Sequence, residues 1–144
     1  MKYNTRLVEE EIKLYFKIKY KNLIEVRRQE IMYPYKETDE NIGGGKSNKK
    51  VSAVENAVVK IANDKVIKYY SSILEDINMV YNKFSYSDQD ILKVIYLYGE
   101  DELHGRYSDK QTAEKTGMLL QEVKKLRTKF INEVAEVRGH YKYW

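Results

Sequence analysis

KQTAEKTGMLLQEVKKL, residues 110–126, has the spacing that two short helices need when they cross through a tight turn. The leading helix needs a small side chain where the second helix presses on it, and Ala113 stands there. The turn needs a residue that tolerates positive φ, and Gly117 follows four residues later. The trailing helix needs a branched apolar residue facing the core. Val123 comes six residues after the glycine, and Leu126 three beyond it. One position departs from the pattern: Leu119 stands where a Ser or Thr would cap the second helix.

Set on a wheel at about 100° per residue, the trailing helix separates into two faces. Leu119, Val123, Leu126, Phe130, Val134 and Val137 form the apolar one. Gln121, Lys124, Lys125, Thr128, Lys129 and Asn132 form a basic, amide-bearing strip, with Arg127 as a further cation on the same helix. Lysines suit guanine edges and phosphates, and Gln and Asn can pair with adenine. Lys110, Gln111 and Lys115 on the leading helix are placed for backbone phosphates. These ten residues are the candidate DNA contacts. A solvated outer helix face is the plain alternative for all of them.

Working outward, Ser108 is the expected cap of the leading helix, and Glu100–Tyr107 is a polar loop. Upstream, Ser87 with Asp88 and Asp90 predicts the start of a supporting helix carrying Ile91, Leu92, Ile95 and Tyr98. Gly99 is its expected stop. Ser52 with Glu55 reads as a capping box opening a long helix that reaches Asn82, with Val58, Ala62, Val66, Tyr69, Tyr70, Ile73, Ile77 and Val80 on one face. Met32–Lys50 holds the single proline, Pro34, and the run Gly43-Gly44-Gly45, and so predicts an irregular connector. Before it, Tyr3–Ile31 predicts one long helix with a wide apolar stripe of Leu7, Val8, Ile12, Leu14, Tyr15, Ile18, Leu23 and Val26, broad enough to face a core and a partner subunit together. The expected fold is all-α: long N-terminal helices and a C-terminal trihelical domain with a helix-turn-helix. The expected divisions are 1–31, 32–51, 52–84 and 85–144.

Composition narrows the function classes. The 144 residues contain no Cys, which excludes disulfides, thiolate metal sites and thiol nucleophiles. No stretch approaches the roughly 18 apolar residues of a membrane span, and Met1–Glu11 has no signal-peptide core, so a cytoplasmic chain without membrane contact is expected. The net charge of +4 is unevenly spread. Residues 83–105 carry 2 basic and 5 acidic side chains, whereas residues 106–144 carry 9 basic and 5 acidic. A basic C-terminal end suits a polyanion.

The connector carries a resemblance. RRQEIMYP at residues 27–34, followed by TDENIGGG at residues 38–45, is similar to the RinA family of phage late transcriptional activators. The order of parts is also alike. The C-terminal arrangement looks like the promoter-reading domain of bacterial sigma factors over about 45 residues. The family resemblance implies a phage- or prophage-encoded activator of packaging and morphogenesis genes. Such a protein acts upstream of the terminase operon with host RNA polymerase.

Other chemistries find little footing. Gly45-Lys46-Ser47 echoes a phosphate-binding loop, but Glu40 stands where that loop needs glycine. His104 and His140 are far apart and lack companions at ligand spacing, so no metal is expected and both read as surface residues. Glu9-Glu10-Glu11 reads as helix solvation, and no motif frames a nucleophile. The 14 tyrosines read mostly as packing residues. The expectation is a non-enzymatic transcription activator without cofactor, binding double-stranded DNA and in one arrangement a homo-oligomer. The alternative is a helical adaptor whose basic helix binds an acidic protein partner.

Overall fold

A computed structural model describes residues 2–34 and 47–141, with side chains described outside 47–53. The expected all-α class is what forms. The helices are α1 Thr5–Phe16, α2 Lys19–Met32, α3 Ser47–Asn63, α4 Lys65–Lys83, α5 Tyr86–Lys93, α6 Asp109–Thr116 and α7 Leu120–Arg138. A π-helical turn, Val94–Tyr98, follows α5 directly. A single antiparallel bridge joins Tyr3 to Tyr141 among the described residues. Most of the 32–50 connector, with the Thr38–Gly45 resemblance and the Gly45-Lys46 pair, lies outside the described residues.

Both long helices of the sequence reading are broken. Asn4 caps α1 by accepting the Leu7 N–H at 3.3 Å. The 3–31 helix then stops at Phe16, and Ile18 takes φ +59°, the one positive φ at a non-glycine among the described residues. Apolar periodicity runs on through this break because Ile18 itself falls on the stripe. The 52–82 helix instead begins at Ser47, so Ser52 lies inside it rather than at its start. It breaks at Asp64, whose Oδ2 accepts the Ile67 N–H at 3.1 Å and restarts the chain as α4. The cap of α5 is Ser85, two residues before the expected Ser87; its Oγ accepts the Asp88 N–H at 3.2 Å. Gln89 fixes that corner by donating to the carbonyls of Tyr81 and Phe84, each at 3.0 Å.

The chain divides into two compact units, Met1–Tyr20 with Ile73–Trp144, and Lys21–Ser72. The larger unit is built on α7. Val123, Phe130 and Val134 are fully buried there, as are Val8 and Ile12 of α1, Ile77 of α4, Leu92 of α5, and Ile95 and Tyr96 of the π turn. Each such side chain contributes about 1.5–3 kcal/mol. Phe16 stacks on Tyr96 with centroids 5.4 Å apart, and Phe84 meets Phe130 edge-on at 5.6 Å. Helix α1 is therefore part of the core that carries α7, and only part of its apolar stripe is used there. Leu7, Leu14 and Ile18 remain exposed.

Gly99 ends the π turn for a reason other than a left-handed cap, since its φ is −91°. The Tyr107 N–H donates to the Ile95 carbonyl at 2.9 Å directly over it, and a Cβ there would stand 2.2 Å from the Tyr107 nitrogen. The glycine lets the 100–107 loop lie against the turn and enter α6 in a fixed direction. In the smaller unit, Ile24, Ala57 and Ile67 are buried. Arg27 grips Asp64 through two nitrogens, Nε at 3.1 Å and Nη2 at 3.0 Å. That guanidinium, first through its hydrogen bonds, holds the Asp64 carboxyl below its ordinary range.

Candidate nucleic-acid interface

Helix α6 starts on a complete capping box. The Ser108 Oγ accepts the Gln111 N–H at 3.1 Å, and the Gln111 Oε1 accepts the Ser108 N–H at 2.9 Å. Thr112 is fully buried, its hydroxyl donating to the Ser108 carbonyl at 2.9 Å. Ala113, the expected contact point, is only half-buried, so the small buried side chain sits one position earlier than the spacing suggests. Gly117 closes α6 with φ +73°, donating its N–H to the Ala113 carbonyl at 2.9 Å. Nothing lies within 4 Å of where its Cβ would be, so the backbone conformation alone demands glycine.

Leu119 then occupies the cap position of α7 with no side-chain cap hydrogen bond. On α7 the buried face comprises Val123, Leu126, Phe130, Ile131, Val134 and Ala135. Leu119 is 69% exposed and Val137 38% exposed, so neither belongs to it as the wheel proposed. The burial of Ile131 and Ala135 wraps round the second half of the helix, which confines the open strip to its first half.

Within that first half, Gln121, Lys124, Lys125, Thr128 and Lys129 are all exposed. Lys110 is exposed on α6. Among the described residues no ion pair engages Lys110, Lys124 or Lys125. Lys115 is exposed, with its ammonium 4.7 Å from the Tyr107 ring centroid, and the Lys129 ammonium lies 5.4 Å from that of Phe84. Asn132 is half-buried, at the end of the strip. Gln111 is half-buried and has its carbonyl oxygen committed to the capping box.

Arg127 is held within the fold, away from the exposed strip. Its Nε and Nη2 donate to the two oxygens of Asp109 at 2.8 and 3.1 Å, and its Nη1 donates to Glu9 at 2.9 Å. Burial disfavours its charge. The hydrogen bonds to Asp109 and the charges of Glu9 and Asp109 outweigh that and raise its pKa above the ordinary arginine value. Glu9 also accepts from Arg106 Nε at 2.6 Å and from the Tyr96 hydroxyl at 3.3 Å. Burial first, then the Glu9 charge, pushes the Tyr96 phenol well above the usual tyrosine range. Arg127 thus locks α7 to α1 and to the start of α6.

A second lock was equally invisible in sequence. Arg138 donates to Glu11 at 3.1 Å and to Asp76 at 3.0 Å, and the His140 Nε2 lies 2.7 Å from Glu11. His140 is therefore a part-buried network residue, whereas His104 is exposed as expected. Of the three consecutive glutamates, only Glu10 faces solvent, paired with Lys13 at 2.9 Å. Partners up to 129 positions apart leave no local signal. The wheel did hold a hint for Arg127: it sits six residues after Gln121, about 120° from it and about 60° beyond Lys124 at the strip's edge.

A cavity of about 470 Å³ lies between α1 and the 100–107 loop, lined in part by Arg6, Glu9, Lys13, Arg106 and Arg127. Three of its cations are already committed to Glu9 and Glu10. Among the described residues no three His, Cys, Asp or Glu side chains group as a metal site needs, and no helix is long and apolar enough to cross a membrane.

Residues 5–136, nearly the whole chain, match the family model described as Protein of unknown function (DUF722). No curated protein and no solved structure matches the chain.

Proposed function

The chain belongs to the DUF722 family, whose description carries no activity. Starting from that membership, we propose that it is a sequence-specific DNA-binding transcription activator that works by binding alone, without catalysis. In this reading α6, the Gly117 turn and α7 are a helix-turn-helix, and α7 enters the major groove. One observation carries the reading: Lys124 and Lys125 are exposed and outside every described ion pair, beside Gln121 and Thr128, on a helix whose opposite face is fixed in the core. The arginine in the middle of that helix is committed internally to Asp109 and Glu9, so lysines supply the outward charge. Lys110 and Lys115 take backbone phosphates, and Gln121 is placed to read an adenine edge.

The 27–45 resemblance supports the narrower role of a phage late-gene activator. That role means acting upstream of the terminase operon, with host RNA polymerase, in the bacterial cytoplasm.

The test is selection of duplexes from a random library by the intact protein, followed by mobility-shift titration. The expected result is a selected duplex that the Lys124→Glu/Lys125→Glu variant no longer shifts while its circular dichroism stays that of the native chain. Undiminished binding by that folded variant would remove α7 from the interface. No enrichment of any duplex would favour the adaptor reading, with an acidic protein partner on the same strip.

A further inference from the structure

The leading turn of α7 forgoes stability for an arrangement that the folded chain does not use. Leu119 occupies a cap position where Ser, Thr, Asp or Asn would satisfy a free backbone N–H, and its side chain accepts nothing. Its apolar bulk is not buried in compensation: it is 69% exposed, and Leu120 beside it is 41% exposed. The core contacts of α7 begin only at Val123. Leu119, mostly exposed, and Leu120, partly exposed, therefore begin α7 ahead of the strip formed by Gln121, Lys124 and Lys125. On the wheel Leu120 lies one turn before Lys124 and about 40° from it, on the edge of the strip nearest Arg127.

We propose that Leu119 and Leu120 are specificity-determining residues that read thymine through its C5-methyl group in the major groove; the inference rests on the DNA-binding function proposed above. The occupant follows from the neighbours. An apolar pair flanked by exposed lysines and an amide does not match a wholly apolar partner surface. It matches a surface that presents an anionic backbone together with isolated methyl groups, and the major groove of duplex DNA does so wherever thymine occurs. The first residues of a recognition helix are the ones that reach base edges.

The test uses the intact protein and the duplex it selects from a random library. Each thymine of that duplex is replaced in turn by deoxyuridine, which removes only the methyl. At one or two positions the replacement is expected to weaken binding about fourfold, the effect of losing one buried methyl-sized group. The Leu119→Ser/Leu120→Gln variant should bind thymine and deoxyuridine duplexes alike at those positions. It should also melt a few degrees higher, because a serine hydroxyl at the head of α7 restores the cap. Equal affinity of the wild-type chain for every deoxyuridine duplex, with binding otherwise intact, overturns the leucine assignment and leaves the proposed function standing. Unchanged thymine preference in the folded double variant overturns it as well. Failure to select any duplex removes both readings together.

Discussion

Arg127 and Lys125 are two residues apart, and the fold gives them opposite work. Arg127 is 20% exposed and holds Asp109 and Glu9, whereas Lys125 is exposed and outside every described ion pair. Arg127→Ala removes the guanidinium that Asp109 and Glu9 share in a mostly buried setting and should cost about 3 kcal/mol of stability, measured by urea unfolding. Lys125→Ala should leave the unfolding free energy within about 0.5 kcal/mol of wild type yet weaken DNA binding by about 1–3 kcal/mol. Lys110→Ala should weaken binding to all duplexes about equally, as a phosphate contact does. Tyr96 sets a pH limit. Its folded pKa is raised above the value of about 10 of the unfolded chain. Its contribution is therefore complete below about pH 10 and is lost as pH rises towards the folded value. Unfolding titrations from about pH 9 to about pH 12 should show a steeper loss for the wild type than for Tyr96→Phe.

Within the elements, features set within four or five residues were in part legible, although Ser85 rather than Ser87 caps α5 and Ser52 lies inside α3. Gly117 takes the left-handed conformation its spacing called for, Ser108 caps α6, and Val123, Leu126 and Phe130 face inward. Features set by distant contacts were not. The stripe of α1 continues in phase across the Ile18 break, so periodicity reads one helix where there are two. Asp64 caps the Ile67 N–H and also binds Arg27, a partner 37 positions away that leaves no local signal. Spacing alone carries the strip on α7 to Asn132, but the burial of Ile131 and Ala135 closes it sooner. The wheel puts Leu119 on the core face because it does not register that burial begins a turn later, at Val123. The break at Ile18 has a measurable consequence. A β-branched residue at φ +59° stores strain that glycine lacks. Ile18→Gly should therefore raise stability by about 1 kcal/mol, read as a higher melting temperature.

Over the whole chain, charge and architecture serve the same end. In the unit that holds α7, Glu9, Glu11, Asp76 and Asp109 are each paired with arginine, which draws acids inward. The lysines of α6 and the first half of α7 are left outside. A net charge of only +4 can thus still present a cationic face. On the function proposed above, this face binds the phosphates and base edges of duplex DNA. The most direct measurement is fluorescence anisotropy of a selected duplex with the intact protein, between about 50 and about 200 mM salt. Neutralisation of about four or five phosphates by the lysines of α6 and α7 gives an expected slope of log affinity on log salt of about −4. A slope near zero would contradict the claim.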